Sequence, residues 1–191
     1  MSTVRPAGAA DLSRICRTAM MAFAEDPLLR WFFPDRDDYF ALSPTAWQYI
    51  ARRSIALEST FTTDDGVAVA MFFPPGRPQI EVDPPPPAAP SSPELQERFA
   101  VIGAVMAEHT PLEPHWYLNV LATHPDWQRQ GLGAAVMAPI GDVCRRDGLP
   151  MYLETQTISN VAYYGHLGFR VRSEWDVPLD GPHMWGMIRE P

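Results

Sequence analysis

Between Gln128 and Ala134 the chain reads Q-R-Q-G-L-G-A, directly after an alternating apolar run from His115 to Thr123 and the turn proline Pro125. Strand, short turn, glycines and helix start, in that order, suit an anion. The amides of a first helical turn lack partners, the helix dipole adds partial positive charge, and glycine lets a phosphate approach closely. Further along, two groups could move protons. Glu154 stands mid-strand in Leu153-Glu154-Thr155, where a charge needs either a partner or a task. A structural ion pair is the alternative to a catalytic carboxylate. Asn160, Tyr163 and Tyr164 are spaced three and four apart, so one face of a short helix can present all three.

Three phosphate-binding patterns compete for the glycine turn. A P-loop needs lysine and then Ser or Thr after its second glycine, and Ala134-Ala135 stands there. A dinucleotide fingerprint would run Gly131, Gly133, Val136, with valine in the third small position and the motif past mid-chain. The third pattern, Q-x-x-G-x-G, resembles motif A of the GCN5-related N-acetyltransferases, the GNAT family. The preceding L-A-T-H-P and the later N-x-x-Y-Y-x-x-L-G-F, Asn160 to Phe169, strengthen that resemblance. The order of DGVAVAMFFP, HWYL, LET and YYGHLGF is similar to that in puromycin N-acetyltransferase-like members of the family.

The resemblance implies an α/β GNAT fold. Its mixed, mostly antiparallel twisted sheet would have about seven strands, splayed between the fourth and fifth and flanked by helices. It implies acetyl-CoA as cosubstrate and a small-molecule primary amine as acceptor, attacking directly in a ternary complex. An aminonucleoside antibiotic such as puromycin is one such acceptor, and a protein N-terminus or lysine is another. A non-catalytic acyl-CoA-binding module is the reading from outside the enzyme class. Backbone groups of Leu121, Ala122 and Thr123 would meet the acetyl carbonyl and pantetheine. Gln128, Arg129, Gln130, Gly131, Leu132, Gly133 and Ala134 would hold the pyrophosphate, and Asn160 the pantetheine arm. Tyr164 would be the general acid, since a phenol can protonate a departing thiolate, while Tyr163 packs. Many relatives carry a glutamate on the strand before the turn, where this chain has Asn119; Leu153-Glu154 resembles the LE pair of the next strand, whose carboxylate would act as the base directly or through water. Asp26, Trp31 and Phe32 would help bind an amine on an apolar or aromatic body, although such aromatics also build cores.

The elements that must place these residues are legible in part. Thr3 to Pro6 reads as a strand and Ala9 to Glu25 as a helix stopped by Asp26-Pro27, followed by an apolar aromatic segment to Phe33. Asp37 to Glu58 reads as one or two helices, with Pro44 in the first turn of the second. Asp64-Asp65-Gly66 between apolar runs signals a hairpin. From Pro74 to Pro93 dense prolines predict an extended surface loop, after which Ser92 caps a helix. The apolar stripe Leu132, Val136, Ile140 and Val143 reads as a helix containing Pro139 and stopped by Gly148-Leu149-Pro150, Met151 to Thr155 as a strand, Ser159 to Leu167 as a capped helix, and two closing strands follow.

Length and charge set the outer limits. The 191 residues suit one domain over 1–191. A net charge of −8 argues against coating nucleic acid and is compatible with a cationic substrate. No apolar run approaches the roughly 20 residues of a membrane span, and no signal peptide is readable, so a cytoplasmic protein is expected. Cys16 and Cys144 read as free thiols. His115, His124 and His166 lack metal-ligand spacing, so no metal is expected. The oligomeric state stays open, a homodimer included.

Overall fold

The computed structural model describes residues 3–83 and 92–191; positions 84–91 of the expected proline-rich loop lie outside the described residues. Seven strands form one sheet: β1 (Val4–Pro6), β2 (Thr60–Thr63), β3 (Ala68–Phe73), β4 (Trp116–Thr123), β5 (Met151–Thr155), β6 (Arg170–Asp176) and β7 (His183–Arg189). Their spatial order is β1-β2-β3-β4-β5-β7-β6. Every neighbouring pair is antiparallel except β4 with β5. That parallel pairing is short, with only Trp116 opposite Met151 and Tyr117 opposite Tyr152. Beyond it the two strands part, and the sheet is splayed between its fourth and fifth strands as expected.

Strand β3 is buried along its whole length because helices cover both faces. Ala68, Ala70 and Phe72 pack with α5 (Leu132–Asp147), through Val136, Met137 and Ile140. Val69 and Met71 face the other way, toward α1 (Leu12–Ala22) and α3 (Arg36–Ala56), through Ile15, Ala19, Trp47 and Ala51. A third cluster joins α2 (Pro27–Phe32), α4 (Pro93–His109) and the β6–β7 hairpin around Phe32, Ile102, Trp175 and Met184. The last helix is α6 (Ile158–His166). No helix among the described residues is long and apolar enough to cross a membrane.

Several boundaries differ from the sequence reading. The helix expected over Ala9 to Glu25 begins as a 3-10 turn at Ala9–Asp11, where buried Asp11 takes two Arg5 nitrogens at 2.8 Å and the Gly8 amide at 2.9 Å. Asp26-Pro27 starts a helix as well as stopping one, because the Asp26 carboxylate caps α2 and Pro27 fits its first turn. Pro44 lies inside a continuous α3 rather than opening a second helix. Tyr39 and Trp47, buried on either side of it and joined by a 3.3 Å indole-to-phenol hydrogen bond, hold the helix through the missing backbone bond. Ser92 does cap α4, accepting from the Leu95 amide at 3.4 Å.

Candidate active site

The glycine turn meets the physical requirements for an anion. Gly131 is the N-cap of α5 with φ +78°, a left-handed conformation that glycine adopts without strain. Arg129 also has a positive φ, +60°. The first backbone bond into α5 runs from the Ala135 amide to the Gly131 carbonyl, 3.1 Å, so the amides of Leu132, Gly133 and Ala134 precede the helical ladder. Gln128 ties the turn back to β4, donating from Nε2 to the Thr123 carbonyl at 3.2 Å. A Cβ on Gly133 would stand 2.8 Å from the Tyr163 hydroxyl. Tyr163, which the sequence reading gave to packing, therefore sets its phenol over the turn while its ring meets Tyr164 edge-on at 5.3 Å.

Beyond the glycine turn, where β4 and β5 diverge, a cavity of about 280 Å³ opens. Asn119, Leu121 and Glu154 line it from the sheet, Asn160 and Tyr164 from α6, and Asp26 from the start of α2. A register shift in β4 aims Asn119 inward: Met71 pairs with Val120 but Phe72 with Leu118, leaving Asn119 as the extra residue of a β-bulge. Leu118 accordingly packs on the α5 face and Val120 on the α1 face, although they are two apart. Nothing local in the sequence signals this bulge.

Glu154 sits in β5 with its Oε1 buried and without a hydrogen-bond partner among the described residues. Burial pushes its carboxyl above the usual carboxylate range, opposed by the hydroxyls of Tyr117 and Tyr152 and by the charge of Arg77. Those two phenols are raised in turn, first by their own burial and then by the Glu154 charge. Among the described residues Glu154 has no ion pair at contact distance. Tyr164 is buried beside Phe169, ring centroids 5.6 Å apart, and burial raises its phenol, holding the proton on oxygen. Asp26 has one carboxylate oxygen committed to the Leu28 and Leu29 amides at 3.0 and 3.2 Å, and burial raises its pKa too.

Helix α6 brings Asn160 and Tyr164 to the cavity. Its cap is Thr157 rather than Ser159: Thr157 is extended, φ −132°, and its Oγ1 accepts from the Asn160 amide, while the Ser159 hydroxyl only donates to that same oxygen. Asn160 also donates from Nδ2 to Thr155 Oγ1 at 3.1 Å, fastening the helix to the end of β5. Thr157→Ala is expected to lower stability by about 1 kcal/mol in urea unfolding, and Ser159→Ala by much less. The reverse ranking would move the cap back to Ser159.

Trp31 and Phe32 are placed elsewhere. The Trp31 indole donates to the Leu179 carbonyl at 2.9 Å, and Phe32 stacks on Phe99 with centroids 4.4 Å apart, both within the α2–α4 cluster. Neither lines the cavity. Among the described residues no three His, Cys, Asp or Glu side chains are grouped to hold a metal. Cys16 and Cys144 are free and buried, each thiol pushed up to about 11 by burial.

The sequence profile of the acetyltransferase (GNAT) family matches residues 83–169, the stretch holding the glycine turn, Glu154 and Tyr164. An uncharacterized N-acetyltransferase of Schizosaccharomyces pombe is 34% identical over 83 residues. That match covers 40% of this chain and about a third of the relative, 32%. Among solved structures, a Corynebacterium glutamicum protein described as histone acetyltransferase HPA2 and related acetyltransferase superposes with a TM-score of 0.71 at 25% identity, covering 100% of this chain and 97% of that one. PaiA N-acetyltransferase of Thermoplasma acidophilum, solved in complex with coenzyme A, is similar in fold, with a TM-score of 0.61 at 11% identity over 100% and 99% of the two chains.

Proposed function

We propose that this chain is a GNAT acetyltransferase that transfers an acetyl group from acetyl-CoA to the primary amine of a small molecule. The observation that carries the reading is the cavity at the splayed strands, where Glu154, Tyr164 and Asn160 share one wall beyond the glycine turn that opens α5. The residues present fit the coenzyme. Free amides from Leu132 to Ala134 and the close approach over Gly133 suit its pyrophosphate. The gap between β4 and β5, with Leu121 and Asn160 on its walls, suits the pantetheine arm. Bound there, acetyl-CoA supplies the acyl group as a thioester.

The chain's own groups then have separable tasks. Glu154 takes the proton from the acceptor ammonium, directly or through one water, because its raised carboxyl sits nearer to the amine's proton affinity than an exposed carboxylate would. Asp26, on the opposite wall, favours the cationic form of the acceptor while it binds. Tyr164 keeps its phenol proton available for the leaving sulfur. An aminonucleoside antibiotic is one acceptor that fits this description, and a screen of amines by thiol release is the direct test. With any accepted amine, Tyr164→Phe is expected to lower kcat about 100-fold with little change in coenzyme affinity. Equal rates for wild type and variant would remove Tyr164 from the chemistry, and no thiol release with any amine would overturn the reading as a whole.

A further inference from the structure

A second, larger cavity of about 950 Å³ adjoins the first and shares Met106, Tyr117 and Asn119 with it. Resting on the acetyl-transfer reading, we propose that this cavity receives an anionic group, a carboxylate or a phosphate, borne by the same molecule whose amine reacts beside Glu154. The acceptor would then be zwitterionic: an amino acid or an aminoalkyl phosphate rather than a neutral-bodied amine.

The walls carry the argument. Arg77 lies over the Tyr117 ring, its guanidinium carbon 3.7 Å from the centroid, and its Nη2 is buried without a partner among the described residues. Arg53 stands over Phe73 at 4.8 Å, donates one Nη2 hydrogen bond of 3.3 Å to the Pro78 carbonyl, and leaves its Nε buried and unpartnered. Neither arginine has a carboxylate at ion-pair distance among the described residues, and the Arg77 charge reaches Glu154 only at longer range, past Tyr117. The one carboxylate on the described cavity wall, Glu113, is 69% exposed and turned to Arg172 at 3.5 Å. Two guanidinium groups are thus held by aromatic stacking, with buried N–H donors left unmade, an arrangement that costs free energy until an acceptor arrives. Their planar forks match a carboxylate or phosphate, and stacking fixes their orientation beforehand.

The opposite charge lies on the other side of Tyr117 and Asn119, where Glu154 and Asp26 line the smaller cavity. Anion on one side and ammonium on the other would set the register of one molecule across β4. His115, also on the larger cavity's wall, directs Nδ1 to the Glu113 carbonyl at 2.8 Å and leaves Nε2 buried and unpartnered. The carbonyl contact places the proton on Nδ1, so Nε2 is an acceptor for an N–H or O–H elsewhere on the same molecule.

The test uses acceptors paired by the anion, an α-amino acid against its amide and aminoethyl phosphate against ethanolamine, compared at equal concentrations of neutral amine because the anion also raises the amine's pKa. Thiol release gives kcat/KM for each, and calorimetry gives binding to the protein loaded with coenzyme A. In wild type the anionic member of at least one pair should exceed its neutral partner by about tenfold to a hundredfold, and which pair does so separates carboxylate from phosphate. Arg77→Met should collapse that ratio toward one, and Arg77→Lys should keep part of it. The ratio is internal to each protein, so a loss of folded enzyme does not move it. Neutral members reacting as well as anionic ones in wild type would overturn the proposal, as would a ratio that survives both Arg77→Met and Arg53→Met. Arg77-dependent binding of an anionic member with no turnover of any amine would retain the anion site and overturn acetyl transfer. Absence of both binding and turnover would overturn the two together.

Discussion

Glu154→Gln is expected to lower kcat/KM for an accepted amine about 1,000-fold and, at the same time, to raise the melting temperature at neutral pH. The two effects have one cause. A carboxyl whose folded pKa lies above its unfolded value is harder to ionise in the folded protein, so its charge opposes folding. That penalty is absent below the unfolded value, near 4.3. It grows as pH rises toward the folded pKa and is complete above it. Glutamine keeps the shape and removes the charge, so the gain in melting temperature should be present at pH 7 to 8 and vanish below about pH 4. Catalysis runs the other way: wild-type kcat/KM falls as pH drops through the raised pKa, and the variant loses that acid limb. Thermal melts and thiol release across the same pH series measure both. A variant that melts lower while keeping its kcat/KM would identify Glu154 as a structural charge instead.

Gly133→Glu is expected to weaken coenzyme A binding about 1,000-fold by calorimetry, because it sets a carboxylate where the pyrophosphate would lie. Steric effects are separable from charge at this position. The one tight approach of a Cβ there is to the Tyr163 hydroxyl at 2.8 Å, the far end of a side chain that is 38% exposed, while Leu121 stands at an ordinary 3.8 Å. Gly133→Ala should therefore bind within about tenfold of wild type. An acidic residue in the first turn of α5 complements the helix dipole, so the charge itself does not oppose the helix. Equal affinity in wild type and Gly133→Glu would remove the glycine turn from coenzyme binding.

How much of this was legible beforehand follows from how local each feature is. The turn from Gln128 to Ala134 could be read because its chemistry lies within seven consecutive residues, and the Asp64-Asp65-Gly66 hairpin for the same reason. Glu154 stood out as a charge inside an apolar strand, but its want of an ion pair required the packed structure. Trp31 and Phe32 looked available to a substrate because aromatic content says nothing about which neighbour a short helix finds; α4 supplies Phe99 and takes the face. Arg53 and Arg77 come from a helix and a loop with no shared pattern, and only the fold brings both to one cavity wall. Thr157 and Ser159 are both competent caps by type, and the extended backbone at Thr157 decides between them. Tyr163 and Tyr164 differ by one position on α6, and that single step sends one phenol over the glycine turn and the other into the cavity.

The bulge at Asn119 also bears on how this protein can change over evolutionary time. One surplus residue lets Leu118 serve one core and Val120 the opposite one, so the two halves of β4 belong to different faces of the molecule. Side chains along the cavities can be exchanged singly, altering what is accepted without disturbing either core. The length of β4 has no such freedom. Removing or adding one residue at the bulge would turn the strand's second half over, carrying Val120 and Ala122 away from the α1 face and Leu121 away from the α5 face. New specificities on this scaffold are therefore reached by substitution around a fixed count of residues, not by insertion or deletion within the strand that carries the site.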